Sequence, residues 1–162
     1  MPSRLLLLLC SILLAAPGVR AQSADSVAVI SASAVRASIA VPADSAVRAL
    51  YVGVLADRGT HTVLALRRTA DGEAEVHAEW DDAMVVQEGA ATLLSCGEVV
   101  GARVSAPGEL RGGQIRGGTR RELAAGDLVV VAAGAPHQLL VRPGGSIVYL
   151  VVKVRQGTSS IP

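Results

Sequence analysis

His137 is the residue of this sequence whose surroundings most clearly fix its direction. The preceding run Leu128 to Val131 is β-branched and too short for a stable helix, which predicts a strand. Gly134 and Pro136 indicate a bend directly before the histidine, and a second apolar strand is predicted over Gln138 to Val141. A histidine held behind a proline at the start of a strand suits a metal ligand or a proton-transfer group.

Three further ligand-type side chains belong to an earlier segment. Glu75 and His77 are two residues apart, so on a strand they project to the same face. Asp82 follows after a short break at Trp80 and Asp81. Adjacent residues of a strand point to opposite sides, so either Asp81 or Asp82 is the carboxylate that faces inward.

These four side chains together predict a site for a divalent transition metal. Imidazole with carboxylate suits zinc, iron, manganese or nickel, whereas magnesium and calcium prefer more oxygen ligands. His137 would have to reach His77 from a strand across a closed sheet. The alternative is that His77 is a surface residue, since acidic side chains surround it on both sides.

The first 21 residues have the composition of a secretory signal. Arg4 precedes an apolar run over 5–16, and Val19 to Ala21 forms a small-residue cleavage site. The apolar run is too short to be a good membrane span, and no later segment approaches the roughly 20 apolar residues that a span needs. We therefore expect an exported protein, periplasmic or secreted, with no membrane anchor after cleavage of residues 1–21.

Composition excludes some partners of the processed chain. Removal of Arg4 and Arg20 from the 15 Lys and Arg leaves a slightly negative net charge against the 14 Asp and Glu. The processed chain therefore has no surplus of basic residues that would favour binding to nucleic acid. Cys96 is the one cysteine after residue 21, so an internal disulfide is excluded there and packing must supply the stability.

The remaining sequence divides into one main domain with short ends. Residues 22–45 are rich in Ala, Ser and Val and predict a partly helical or irregular segment, capped by Ser23 or Asp25 and ended by Pro42. From 46 to 155, short apolar runs alternate with turn signals, without helical periods between them, which predicts an all-β sandwich or barrel. Residues 156–162 are a short tail.

Two glycine-containing segments fit into this pattern of strands and turns. Residues 112–118 contain four glycines but lack the Lys-Ser/Thr ending of a phosphate loop, so a flexible or bulged loop between strands is predicted. Glu88 and Gly89 are a turn signal between the apolar runs 84–86 and 91–94.

Residues 72–153 resemble a small cupin. The second cupin motif is Gly, five residues, Pro, one residue, Gly, two residues, His, and here Gly126, Ala132, Gly134 and His137 occupy those places. Ala132 replaces the usual proline. The asparagine usual four residues beyond the histidine is also replaced, by Val141.

The first cupin motif is more strongly altered. It runs His, one residue, His, four residues, Glu, six residues, Gly, and alignment on Gly89 places Glu75, His77 and Asp82 at the three ligand positions. Two of the three expected ligands are therefore replaced, the first histidine by Glu75 and the glutamate by Asp82, and both replacements are oxygen donors. The resemblance implies a two-histidine, two-carboxylate set and not a lost site.

The resemblance implies an all-β double-stranded β-helix, the jelly-roll barrel of the cupins. Two functions follow from it: metal-dependent conversion of a small molecule, with Glu75 moving protons, or non-catalytic binding of a small ligand by a barrel with a degenerate metal site. Cupins with altered ligands include dioxygenases, isomerases and decarboxylases, so the reaction stays open. Trp80, Gln138 and Tyr149 are expected to line the pocket. Exposed sheet edges favour a homodimer.

Overall fold

The computed structural model describes residues 27–42 and 48–157. The predicted signal segment 1–21 and the predicted helix caps Ser23 and Asp25 lie outside the described residues. Within the described ranges, no helix is long and apolar enough to cross a membrane.

The single helix of the described region, α1 (Ala32–Ser38), is short and packs on the outside of the sheet. Its N-cap is Ser31, whose hydroxyl accepts a hydrogen bond from the Ala34 amide at 3.1 Å. Ile39 directly follows the helix and is only 2% exposed, packed with Ala65 and Val148. The helix therefore covers one part of the outer sheet face.

Strands make up most of residues 48–157. Their bounds are β1 (Leu50–Asp57), β2 (His61–Arg68), β3 (Glu75–His77), β4 (Trp80–Ser95), β5 (Glu98–Val100), β6 (Arg103–Ala106), β7 (Glu109–Arg111), β8 (Gln114–Arg116), β9 (Thr119–Ala124), β10 (Leu128–Val131), β11 (His137–Leu140) and β12 (Ile147–Arg155). All pairings are antiparallel. The predicted all-β fold is confirmed.

The main sheet curls around β4. The strand order is β1-β2-β12-β4-β11-β3-β7-β6, with β9 and β10 also paired to β4, while β5 and β8 form a separate two-stranded sheet. The first half of β4 pairs with β10 and β12, and its second half pairs with β9 and β11. One strand thus belongs to both halves of a jelly roll, the double-stranded β-helix that the sequence motifs predict.

The predicted turn at Glu88 and Gly89 is wrong, because β4 runs through it as one strand of 16 residues. The strand changes direction there by a bulge: Val148 pairs with Glu88 and Tyr149 with Val86, so Gln87 has no partner in β12. Gly89 has a φ of 75°, and a Cβ on it would lie 2.0 Å from the Ser146 carbonyl oxygen. The glycine permits a bend, not a break.

The predicted loop over 112–118 also contains a strand, because β8 pairs with β5 within it. Ile115 of β8 is 6% exposed and packs with Ala74 and Leu94, so burial of this side chain holds the segment in place. The flanking glycines have positive φ values, and this glycine content explains why the sequence predicts a loop here.

The main core fills the barrel, and strand alternation selects the residues that enter it. On β12, Ile147, Tyr149 and Val151 face the core, whereas Val148 between them packs toward α1. The same alternation on β2 places Leu66 in the core and Ala65 outside it. Charged residues that continue an inward-facing row are therefore carried into the barrel interior.

Candidate metal centre

Neighbouring strands bring the predicted ligands together at one end of the barrel. Glu75 and His77 are the two ends of β3, and His137 is the first residue of β11, directly opposite Glu75 in the pairing of the two strands. Asp82 on β4 continues the inward row of Met84 and is 5% exposed. Pairing and alternation together direct these side chains to one place.

The four side chains converge closely. Ligand atoms of Glu75, His77 and His137 all lie within 4.8 Å of one another, a cluster that could hold a metal ion. Asp82 Oδ2 lies 3.5 Å from His77 Nε2 and 3.9 Å from His137 Nε2. His77 and His137 are 3% and 6% exposed, so His77 is not a surface residue.

Each imidazole is held by an acceptor at its Nδ1 atom. His77 Nδ1 lies 2.6 Å from Oε2 of Glu109, and His137 Nδ1 lies 3.2 Å from the carbonyl oxygen of Ala135. A proton donated from Nδ1 to these acceptors leaves the lone pair of a neutral ring on Nε2. Both Nε2 atoms face the cluster, as the ligand atoms of a metal site do.

His77 Nε2 fits a metal ion better than it fits any protein group nearby. It is buried and makes no hydrogen bond, since Glu75 Oε2 at 3.4 Å and Asp82 Oδ2 at 3.5 Å are too distant or poorly aligned. A buried polar atom without a partner is costly and uncommon. Two imidazoles and a carboxylate are donors that suit a divalent transition metal.

Both carboxylates of the cluster are held by cations. Arg111 donates to Glu75 Oε2 at 2.8 Å, and Lys153 Nζ lies 2.5 Å from Asp82 Oδ1. Burial alone would raise the pKa of Glu75, but His77, Arg111 and His137 outweigh it and lower that pKa to about 2. Glu75 is therefore a firmly ionised group, which suits a metal ligand better than the proton carrier expected from the sequence.

The pKa values of the two histidines are shifted in opposite directions. Burial lowers the pKa of His77, but the Glu75, Asp82 and Glu109 carboxylates more than compensate, so this pKa is raised. Burial lowers the pKa of His137, and its neighbours do not reverse that effect. Without a metal, His77 is the ring that takes up a proton first.

A cavity of about 150 Å³ opens beside the cluster. Its walls contain both charged or polar and apolar side chains. The charged and polar residues are Arg68, Glu73, Glu75, Asp82, Arg111, His137, Gln138, Tyr149 and Lys153, and the apolar ones are Leu50, Val52, Leu64, Leu66, Met84, Leu139 and Val151. The cavity can accommodate a small molecule next to a bound ion.

The other predicted site residues have separate positions. Tyr149 and Gln138 line the cavity, but the Gln138 side chain donates to the Gly72 carbonyl at 2.7 Å and accepts from the Ile115 amide at 2.9 Å. Trp80 is not among the cavity residues, and the Arg155 guanidinium lies over its ring at 4.9 Å. Asp81 points away, with its Oδ1 accepting from the Ala133 amide at 2.7 Å.

Sequence reasoning missed the charged partners of the ligands. Glu109 and Arg111 belong to β7, which pairs with β3 so that His77 is opposite Glu109 and Glu75 is opposite Arg111. Lys153 is likewise the cross-strand partner of Asp82. No spacing motif marks them, and only the strand pairing would have identified them.

No protein-family model and no curated protein matches this sequence. Among solved structures, the chain is similar to a conserved protein with a double-stranded β-helix domain from Klebsiella pneumoniae, at 14% identity, with a TM-score of 0.53 over 77% of this chain and 90% of that one. The polyketide cyclase RemF from Streptomyces resistomycificus aligns at 18% identity and a TM-score of 0.49, over 68% and 69% of the two chains. A cupin-2 domain protein from Rhodospirillum rubrum aligns at 14% identity and a TM-score of 0.49, over 68% of this chain and 64% of that one.

The chain therefore has a double-stranded β-helix fold. Within that fold, it places Glu75, His77 and His137 where they could hold a metal ion.

Proposed function

We propose that this protein binds a divalent transition metal through His77, His137 and Glu75, and binds a small molecule in the adjoining cavity. The observation that carries the proposal is the Nε2 atom of His77, buried without a hydrogen bond among one imidazole and two carboxylates. A metal ion would satisfy this atom and would use the lone pair that Glu109 leaves on it.

The side chains of the site would have different roles. Glu109 and the Ala135 carbonyl would orient the two imidazoles, while Arg111 would hold the Glu75 carboxylate. A bound metal would act as a Lewis acid toward an oxygen atom of the small molecule. The apolar cavity wall would exclude water from that molecule. Zinc, iron, manganese and nickel all suit this donor set.

Elemental analysis of protein expressed without a histidine tag tests the proposal. We expect close to one metal ion per wild-type chain and a large loss in His77→Ala and His137→Ala. His61→Ala is the matched control, because His61 is an exposed histidine on β2. The proposal would be contradicted if the wild-type protein contains no metal and both histidine variants melt at the wild-type temperature.

The second candidate is a metal-free module that binds a small ligand. It is favoured by the ion pairs of Arg111 with Glu75 and Lys153 with Asp82, which already compensate both carboxylates. In that case, zinc titrated into chelator-treated protein would give no binding heat and no change in melting temperature. A metal site requires both signals, and both must disappear in His77→Ala.

Export is a proposal that rests on the signal-like sequence of residues 1–21. Mass spectrometry of the protein recovered from the periplasm or the medium is expected to find Gln22 as the first residue. Full-length protein confined to the cell interior would refute it.

A further inference from the structure

Arg68 is a charged side chain inside the barrel that has the neutral Tyr149 hydroxyl beside it but no close carboxylate. It is the last residue of β2, its side chain is 8% exposed, and it lines the cavity beside the metal cluster. Its Nε atom is buried without a hydrogen-bond partner. The carboxylate contact is long, with 3.9 Å between Nη2 and Glu75 Oε1. A guanidinium remains charged in proteins, so a buried, weakly paired arginine is costly.

Gly72 leaves space for the Arg68 guanidinium. A Cβ on Gly72 would lie 2.7 Å from Arg68 Nη1 and 2.9 Å from its Cζ atom, so any larger residue there would displace the guanidinium. The alternation along β2 places Leu64, Leu66 and Arg68 on the inward face, so the cation stands at the end of an apolar row.

The other two cations of the cavity differ from Arg68. Arg111 has Glu75 at 2.8 Å, and Lys153 has Asp82 at 2.5 Å. Among the described residues, the Glu75 contact is the one ion pair of Arg68, and a metal ion on Glu75 would weaken it. The positive charge that then lacks a counter-ion is the Arg68 guanidinium, and an anionic ligand would supply one.

We propose that Arg68 binds the carboxylate of a small organic acid whose hydrocarbon part lies against Leu64, Leu66 and other apolar residues of the cavity wall. This inference deepens the proposed function, since it concerns the molecule that occupies the same cavity. A cavity of about 150 Å³ is comparable in size to one that accepts a benzene ring, so the acid has few carbon atoms inside the barrel.

A carboxylate fits these surroundings better than a phosphate group. The planar guanidinium fork matches a planar carboxylate through two parallel hydrogen bonds. Glu75 and Asp82 line the same cavity, so a second negative charge on the ligand would be repelled. The apolar wall also favours a ligand with a hydrocarbon body over a strongly hydrated inorganic anion.

Titration of isobutyrate, isobutyramide and inorganic phosphate, followed by NMR, tests this inference. Isobutyrate and isobutyramide have nearly the same shape and differ in charge. We expect isobutyrate to bind at least about tenfold more tightly than the other two, as charge-assisted hydrogen bonds predict. Arg68→Met should abolish the preference and Gly72→Ala should reduce it. Arg67→Met, on the opposite face of β2, should retain it.

The experiment is done on chelator-treated and on zinc-loaded protein, so that failure of the two proposals can be told apart. A preference for isobutyrate in the chelator-treated protein supports the role of Arg68 whether or not metal binds. Equal affinities for isobutyrate and isobutyramide in both forms would overturn the inference, as would an Arg68→Met variant that keeps the preference. If Arg68→Met does not fold, the comparison of the three probes on the wild-type chain decides.

Discussion

The imidazole rings of His77 and His137 lie 5.3 Å apart, centroid to centroid, at an interplanar angle of 54°. They come from β3 and β11, two short strands whose pairing places Glu75 opposite His137. The rings are not stacked, and each is held by its own acceptor at Nδ1. Each ring therefore has its own attachment in addition to the tilted contact between the two rings.

The attachment of His77 to Glu109 gives a first prediction. We expect Glu109→Gln to lower zinc affinity by about 10- to 100-fold with the fold intact, because the carboxylate orients the ring and increases its basicity. Competition with a chromogenic chelator measures the affinity. Glu88→Gln changes an exposed carboxylate on β4 and serves as the control. Equal affinities in Glu109→Gln and wild type would show that Glu109 does not support the metal site.

The raised pKa of His77 predicts how zinc binding depends on pH. A metal ion must displace the proton of this ring, so affinity should fall about tenfold per pH unit once the pH is below the pKa of His77. That region begins above the ordinary histidine value of about 6.5. Glu109 is one of the groups that raise this pKa, so in Glu109→Gln the decline should begin at a lower pH. A pH-independent affinity between pH 6 and 8, measured by calorimetry, would contradict the prediction.

Much of the fold could be predicted from the sequence. The short apolar runs, the turns and the motif around His137 together indicate a barrel, and the two-residue spacing of Glu75 and His77 predicts a shared face. The bend of β4 could not be predicted, because Glu88 and Gly89 have the composition of a turn and only the neighbouring strands keep the chain extended there.

The supporting charges of the site could not be predicted in the same way. Glu109 contacts His77, and Lys153 contacts Asp82, through pairings between strands distant in sequence. Without the strand register, such residues look like ordinary surface charges. The choice between Asp81 and Asp82 was open for the same reason, and alternation along β4 places Asp82 inside with Met84.

The edge of the sheet predicts a homodimer. Among the described strands, β1 ends the strand order and pairs only with β2, and its residues Val52 and Val54 are 50% and 67% exposed. Because an exposed apolar edge is usually covered, we expect a second copy to bind there. Sedimentation should find a dimer for wild type and a monomer for Val54→Lys. Val104→Lys, at the other edge, is the control; a wild-type monomer at high concentration would refute the prediction.

The ion pair between Lys153 and Asp82 gives the last prediction. Lys153 Nζ lies 2.5 Å from Asp82 Oδ1, and their side chains are 17% and 7% exposed, so Lys153→Met leaves a buried carboxylate without its cation. We expect chelator-treated Lys153→Met to lose about 3 kcal/mol in the free energy of unfolding, by the typical cost of breaking a buried pair.

Zinc should then stabilise Lys153→Met more than it stabilises wild type. Asp82 Oδ2 already lies 3.5 Å and 3.9 Å from the Nε2 atoms of the two histidines. In the absence of the Lys153 ammonium group, the positive charge of the zinc ion can therefore compensate the negative charge of Asp82. Urea unfolding of both proteins with and without zinc measures the loss of stability in Lys153→Met and the stabilisation that zinc gives. A Lys153→Asn,Asp82→Asn double variant controls for lost packing, since it removes both charges and should show no extra stabilisation by zinc. If zinc stabilises Lys153→Met and wild type equally, Asp82 is not close enough to the bound ion to interact with it.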